Sequence, residues 1–351
     1  MTKSPRLRRV GRVALGLALT ALVAGCASDA PQDSLDPAGP YARQIDDLFK
    51  PVFLIAVVVF VVVELLVLVA VLKFRRKPDD DDTEFPTQLH GNTKLELGWT
   101  ILPAIVLGVI GVFTVPVLFD LNDEPADAME VSVYGQKYWW GYEYDPQDDF
   151  GISDKIVTAN ELHIPAGRPV YLTMRSLDVV HSFWAPRLNG KRDVVPGRVH
   201  TWAIEADEPG VFSGQCAEFC GTSHANMRLK VVAHDEAGWQ EWVSQMEAPV
   251  SAPRSGAARE GAELFEQKGC AGCHRVAGQW DDVVAGNPPA PDLTKLFTRD
   301  CFAGCIYDLN DRNELEAWLR NPQRKAGSLM VIGDLAEDEI DRLYAYLRTL
   351  E

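Results

Sequence analysis

Residues 214–229 read GQCAEFCGTSHANMRL, and this stretch places Cys216, Cys220, His224 and Met227 at spacings of four, four and three. Two chemistries fit such a segment. In an exported chain, neighbouring cysteines pair as a disulfide by default. Thiolate, imidazole and thioether together instead form a soft ligand set, suited to copper rather than to magnesium or calcium. Zinc accepts the sulfurs and imidazoles but gains little from the thioether. A second imidazole is needed for a dinuclear copper site, and LDVVHSFWAP supplies His181 at the end of a strand-like run. Two thiolates bridging two coppers share one electron across both metals.

Around this segment, residues 129–235 contain strand-like runs (MEVSVYG, RPVYLTMRS, HTWAIEA, MRLKVVA) separated by Gly, Pro and Asp. They imply an all-β sandwich or barrel at 123–247. Upstream, Pro51 to Leu72 is 22 residues with one charge, Glu64, and Trp99 to Phe119 is 21 residues with none. About 20 apolar residues cross the hydrocarbon core as a helix, so a two-helix transmembrane hairpin is expected at 48–122. Glu64 is costly in lipid and is expected to face a partner subunit. KFRRK at 73–77 holds the connecting loop in the cytoplasm, which puts the β domain outside. The acidic run DDDD at 79–82 reads as solvated loop.

The chain opens with Lys3, Arg6, Arg8, Arg9 and Arg12, then an apolar stretch and VAGC ending at Cys26. This is the layout of a signal peptide at 1–25 with a lipoprotein box, leaving a lipidated Cys26 at the head of an exported segment, 26–47. Removing those five cations takes the formal charge from -16 to -21. Such a chain has no basic face for nucleic acid.

Past a small Pro-containing linker at 248–258, apolar positions recur at three and four, giving an all-α domain at 259–351. It contains KGCAGCHRVAG. In Cys-x-x-Cys-His both thiols, Cys270 and Cys273, add to haem vinyl groups and His274 becomes an axial ligand. Zinc would require a further ligand pair, and no histidine follows His274. The single methionine beyond it, Met330, is the expected sixth ligand, and a thioether raises the haem potential. Cys301 and Cys305, in CFAGC, form a candidate disulfide that stiffens an insertion.

GQCAEFCGTSHANM, DVVHSFWAP and KRDVVPGR resemble the dinuclear copper centre (CuA) of subunit II of haem-copper oxidases, a cupredoxin-like domain. The resemblance implies Cys216 and Cys220 as bridging ligands, His181, His224 and Met227 as terminal ones, and the Glu218 main-chain oxygen as a further ligand. It also implies a magnesium or manganese ion held by the Glu218 carboxylate at the subunit I boundary. HGNTKLELGWTILP resembles the family's lead-in to its second span, with Glu96 at the mouth of a proton channel. Asp178 falls at an acidic position near the cytochrome-docking surface. YGQKYWWGYEYD resembles the aromatic stretch beside the copper and offers Tyr138, Trp139 and Trp140 as an electron path. Tyr138 stands where members served by soluble cytochrome c carry tryptophan.

APDLTKLFTRD, AWLRNP and GSLM resemble the class I cytochrome c fused to caa3-type oxidase subunit II, although Val331 replaces the usual proline after the methionine. The resemblance implies a bacterial plasma-membrane protein that carries haem c and CuA. It would take electrons from a cytochrome bc complex or cytochrome c and pass them to subunit I (haem a, haem a3, CuB), with subunit III alongside. Oxygen reduction with proton pumping belongs to that partner. A copper-containing nitric oxide reductase is the alternative enzyme, and an electron-storage or copper-delivery lipoprotein the non-catalytic one. A quinol-oxidase subunit would lack the copper ligands. The 248–258 tether raises the local concentration of the haem domain, so cutting it is expected to slow transfer to copper.

Overall fold

The computed structural model describes residues 30–75, 90–280 and 290–351. The leader, Cys26, the acidic run and Arg76 and Lys77 of the basic cluster lie outside the described residues.

Two long helices lead the chain. Helix α1 (Pro40–Phe74) has proline in its first turn, where the missing N–H costs nothing. Helix α2 (Thr93–Asp120) is capped by Asn92, whose side chain accepts from the Lys94 and Leu95 N–H groups. Both are long and apolar enough to cross a membrane. At 35 residues, α1 is about 52 Å long, well beyond the ~30 Å hydrocarbon thickness. Its first turns stand outside the bilayer and pack on the β domain. Tyr41, Ala42 and Asp46 are buried there, Ala42 N–H reaches the Leu188 carbonyl at 3.2 Å, and Arg43 pairs with Asp207. Residues 40–47, assigned above to the exported segment, are therefore helical and tie the span to the domain it carries.

That domain is two five-stranded sheets. One runs in the order β3 (Ile156–Ala159), β2 (Trp139–Tyr144), β1 (Met129–Gln136), β5 (Val170–Ser176), β8 (His200–Ile204). The other runs β4 (Glu161–Pro165), β10 (Arg228–His234), β9 (Gly210–Cys216), β6 (His181–Trp184), β7 (Arg192–Val194). Burial alternates along β1, β5 and β10, so one face of each strand enters the core between the sheets. Strand β2 is buried on both faces. Trp140, Tyr142 and Tyr144 fill the core, whereas Trp139 on the other face lines a cavity of the C-terminal domain. Helix α3 (Glu236–Glu247) closes one side with Trp239 and Trp242.

The C-terminal domain packs α4 (Gly256–Gln267) against α6 (Glu337–Leu347), with α5 (Arg312–Arg320) beside them. Its own core includes Leu264, Phe265, Trp318 and Tyr346. The insertion adds a minimal hairpin, β11 (Cys301–Phe302) with β12 (Tyr307–Asp308). Cys301 and Cys305 are joined by a disulfide.

Candidate functional site: a sulfur-rich loop and a CxxCH pocket

Strands β9 and β10 form an antiparallel hairpin closed by Cys216 N–H to the Met227 carbonyl at 2.9 Å. The hairpin loop carries Cys216, Cys220, His224 and Met227. Strand β6 lies beside β9 with Phe183 opposite Cys216, which brings His181 to the loop from 35 positions upstream. All five side chains meet. Cys216 Sγ is 3.9 Å from Cys220 Sγ, so the two thiols are in contact without a bond. His181 Nδ1 is 3.8 Å from Cys216 Sγ, and His224 Nδ1 is 3.6 Å from Cys220 Sγ. Met227 Sδ is 3.8 Å from Cys220 Sγ, and the Glu218 carbonyl oxygen is 3.3 Å from Cys216 Sγ.

This is a symmetric donor set: two adjacent sulfurs, each with its own imidazole nitrogen, plus a thioether and a carbonyl. His181, Cys216, Cys220 and Met227 are each at most 4% exposed. Before metal binds, the hydrogen bond from Cys220 holds the Cys216 thiol well below its usual value, although burial opposes this, and the same contact pushes Cys220 up. A soft cation that displaces the shared proton removes this conflict. Asp178 Oδ1 lies 2.7 Å from His181 Nε2, which makes Nε2 the protonated nitrogen and turns the Nδ1 lone pair toward Cys216. Burial lowers the His181 pKa, but hydrogen bonds with Asp178 and Cys216 outweigh it and keep it above the usual imidazole value.

The aromatic stretch divides its work. Trp140, fully buried, sets its ring edge-on to His181 with centroids 5.9 Å apart. Tyr138 is wedged between the domains. A Cβ at Gly221 would sit 2.6 Å from its hydroxyl, and one at Gly327 would sit 3.3 Å from its ring.

In the C-terminal domain, α4 leads into a turn in which His274 N–H bonds the Cys270 carbonyl at 2.9 Å. Cys270, Cys273, His274 and Met330 all line one cavity of about 260 Å³ with Trp318 and Leu343. The thiols of Cys270 and Cys273 are free. His274 Nδ1 is 2.8 Å from the Pro291 carbonyl, which can only accept, so Nε2 keeps the lone pair an axial ligand needs. Burial holds the His274 pKa below the usual value and keeps the ring neutral. An apolar slot with two free thiols, an oriented imidazole and a thioether fits a covalently attached haem. Tyr138 and Trp139 of the β domain form part of the same cavity wall.

Three families match in succession. The cytochrome c oxidase subunit II transmembrane domain covers residues 30–117, its periplasmic domain covers 129–234, and cytochrome c covers 258–351. The cytochrome c oxidase subunit 2 of Alkalihalophilus pseudofirmus is 37% identical over 95% of this chain and 95% of its own. That of Bacillus subtilis is 33% identical over 97% of this chain and 98% of its own. This chain belongs to the cytochrome c oxidase subunit II family. Among solved structures, the periplasmic domain of subunit II from Bradyrhizobium japonicum is similar over 35% of this chain and 96% of its own, at 26% identity and a TM-score of 0.32.

The oxidase subunit II chain is thus an electron-transfer protein with two membrane helices, an extracytoplasmic cupredoxin-like domain and a helical cytochrome c domain, and with ligand clusters consistent with a copper A centre and a haem c. Family membership implies assembly with subunits I and III of a terminal oxidase.

Glu96 lies in the first turn of α2, at the end that follows the inner loop. Glu64 is in mid-α1. Asp178, read from sequence as a surface acid, has a carboxylate only 24% exposed and turned onto His181. Sequence reasoning missed Lys325, Glu161 and Ser223, which join the two extramembrane domains. Lys325 and Glu161 sit in no motif, and Ser223, although inside GQCAEFCGTSHANM, is not a ligand type, so no local signal marks their place at the interface.

Proposed function

We propose that this oxidase subunit II takes electrons on its own haem c, passes them to its copper A centre and delivers them to subunit I, where oxygen is reduced with proton pumping. When bound, the haem and the copper pair supply one-electron chemistry. The chain's own residues hold and orient. Cys216 and Cys220 would hold the copper pair through their sulfurs. His181, His224, Met227 and the Glu218 carbonyl would complete its ligation. Asp178 fixes the His181 tautomer, and the buried core around Trp140 excludes water from the sulfurs. Low solvent access and strand-held ligands keep reorganisation small. Cys270 and Cys273 would anchor the haem, and His274 and Met330 would ligate its iron.

The observation that carries this reading is the pair of unbonded thiols 3.9 Å apart, each with an imidazole nitrogen within 3.8 Å. Its supports are the CxxCH pocket on the same chain and Tyr138 standing between the two. The exposed Glu218 carboxylate is assigned to a magnesium or manganese ion at the subunit I boundary, and Glu96 to proton uptake at the cytoplasmic side. A lipidated Cys26 in the bacterial plasma membrane completes the assignment.

The test is purification of the intact complex from native membranes. Expected are a mixed-valence copper signal by electron paramagnetic resonance, lost in Cys216→Ser, a haem c absorption band, and oxygen turnover exceeding nitric oxide turnover. A cystine bond between Cys216 and Cys220 in anaerobically isolated material would overturn the copper assignment. Preferential nitric oxide turnover would reassign the complex to the reductase class.

A further inference from the structure

We propose that the disulfide-tied loop Cys301–Cys305 is a preformed docking key that seats the cytochrome domain on the copper domain over Tyr138, so that contact rather than the 248–258 tether sets their relative pose. The proposal deepens the electron-transfer reading and rests on it.

The loop inserts between residues of the other domain. Glu161, on β4 and 2% exposed, accepts from the main-chain N–H groups of Asp300 at 3.0 Å and Cys301 at 3.2 Å. At the loop apex, the Gly304 carbonyl accepts from Arg228 N–H at 3.2 Å, one residue past Met227. A Cβ at Gly304 would lie 2.4 Å from the Asn226 carbonyl oxygen and 3.0 Å from that of Tyr138. Lys325, 5% exposed, donates to the carbonyls of Tyr138 and Ala303, both at 2.8 Å, one from each domain. Ser223, between copper ligands Cys220 and His224, donates to the Ala326 carbonyl. A buried carboxylate and a buried amine, from opposite domains, are both satisfied across the interface. Pulling the domains apart would strip each of partners it uses.

The disulfide supplies the shape. Ala303, Gly304 and Cys305 have φ of 52°, 78° and 55°. Left-handed backbone is disfavoured at non-glycine residues, so an open pentapeptide would seldom hold this turn. The cross-link closes a very short ring around it and leaves the undocked loop few alternatives. Affinity gained by presenting a surface already in its bound shape is the usual effect of preorganisation.

The experiment uses the full chain in its complex, with a protease site inserted in 248–258. After cleavage, co-elution of the two fragments at low micromolar concentration is read from gel bands, a readout that needs no redox activity. Expected is retention of the cytochrome fragment by the parent and at least tenfold weaker retention in Cys301→Ser/Cys305→Ser and in Glu161→Gln. Glu161→Gln sits on the other domain, so it decides if the double variant fails to take up haem. Immediate loss of the parent's fragment, or equal retention by both variants, would overturn the docking key. Failure of the electron-transfer reading shows separately, as missing copper and haem spectra with retention intact.

Discussion

Asp178 and His181 form a 2.7 Å hydrogen bond on the side of the imidazole opposite Cys216. The carboxylate also accepts from Lys137 N–H at 2.8 Å and Val179 N–H at 2.6 Å, so it is fixed to the start of the aromatic stretch as well as to its own strand end. Burial raises its pKa, but these bonds, led by that of His181, outweigh the effect and hold it below the usual carboxylate range. One anion therefore sets the orientation and basicity of the proposed copper ligand His181 and ties it to Tyr138's neighbour.

Replacing Asp178 by Ala removes the constraint on the ring without touching a metal ligand. Copper retention against a chelator is expected to fall about 10–100-fold, the usual cost of losing an outer-shell carboxylate. The midpoint potential should rise, because a less basic imidazole stabilises the oxidised pair less. Unchanged retention and potential would show that His181 is oriented by Trp140 packing alone.

In the cytochrome domain, Met330→Leu should leave the haem attached, since Cys270, Cys273 and His274 remain. Loss of the thioether lowers the potential, with a shift on the order of 100 mV within the range axial ligands command. A redox titration checks it. Gln323 donates to the Met330 carbonyl at 3.0 Å and so steadies the segment where Val331 replaces the family's proline. Gln323→Ala is expected to give a smaller fall in the same direction.

Away from both cofactor sites, His163 and His234 share a 2.8 Å hydrogen bond, and His163 stacks on Trp242 at 4.5 Å. Burial lowers both pKa values, His234 to about 4 with help from the neighbouring His163 charge. Above pH 6.5 both rings are neutral whether folded or not, and stability is fully present. As pH falls from 6.5 toward 4 the unfolded chain takes up protons that the folded one refuses, so stability is lost. By pH 5 the loss from His234 is on the order of 1 kcal/mol, after discounting its shift to about 4 for the partial exposure of the ring. Hydrogen exchange in β4 and β10 should accelerate over this window in the parent and less in His234→Gln.

The copper loop was legible because four of its ligand side chains fall on one hairpin, where sequence spacing is nearly spatial spacing. His181 reaches the loop only through the β6–β9 pairing, so the sequence offered it as a strand-end imidazole and the resemblance matched it to the site. The span boundary blurred for a different reason. Tyr41, Ile45 and Asp46 lie on a helix that continues unbroken into apolar residues, and nothing between Pro40 and Pro51 stops it. The Cys301–Cys305 pairing follows from spacing and compartment, but its place in an interface does not. Lys325 and Tyr138 are 187 positions apart and meet only after both domains have folded.

Tyr138 is the residue on which the two halves converge. Its carbonyl receives Lys325, its hydroxyl lies against Gly221 in the copper loop, and its side chain helps to close the haem cavity. The packed ring and the hydroxyl can be separated by substitution. Tyr138→Phe keeps the ring, so haem-to-copper transfer in a flash-reduction experiment should stay within about twofold, a change of about 0.4 kcal/mol. Tyr138→Ala leaves a void between Gly221 and Gly327, and transfer should slow by at least about tenfold, or 1.4 kcal/mol. The void also costs stability, about 3–5 kcal/mol for removing a buried aromatic ring. Copper and haem content must therefore be measured alongside the rate. Equal rates in parent and Tyr138→Ala, with both cofactors in place, would move the electron path to Trp139 on the same cavity wall.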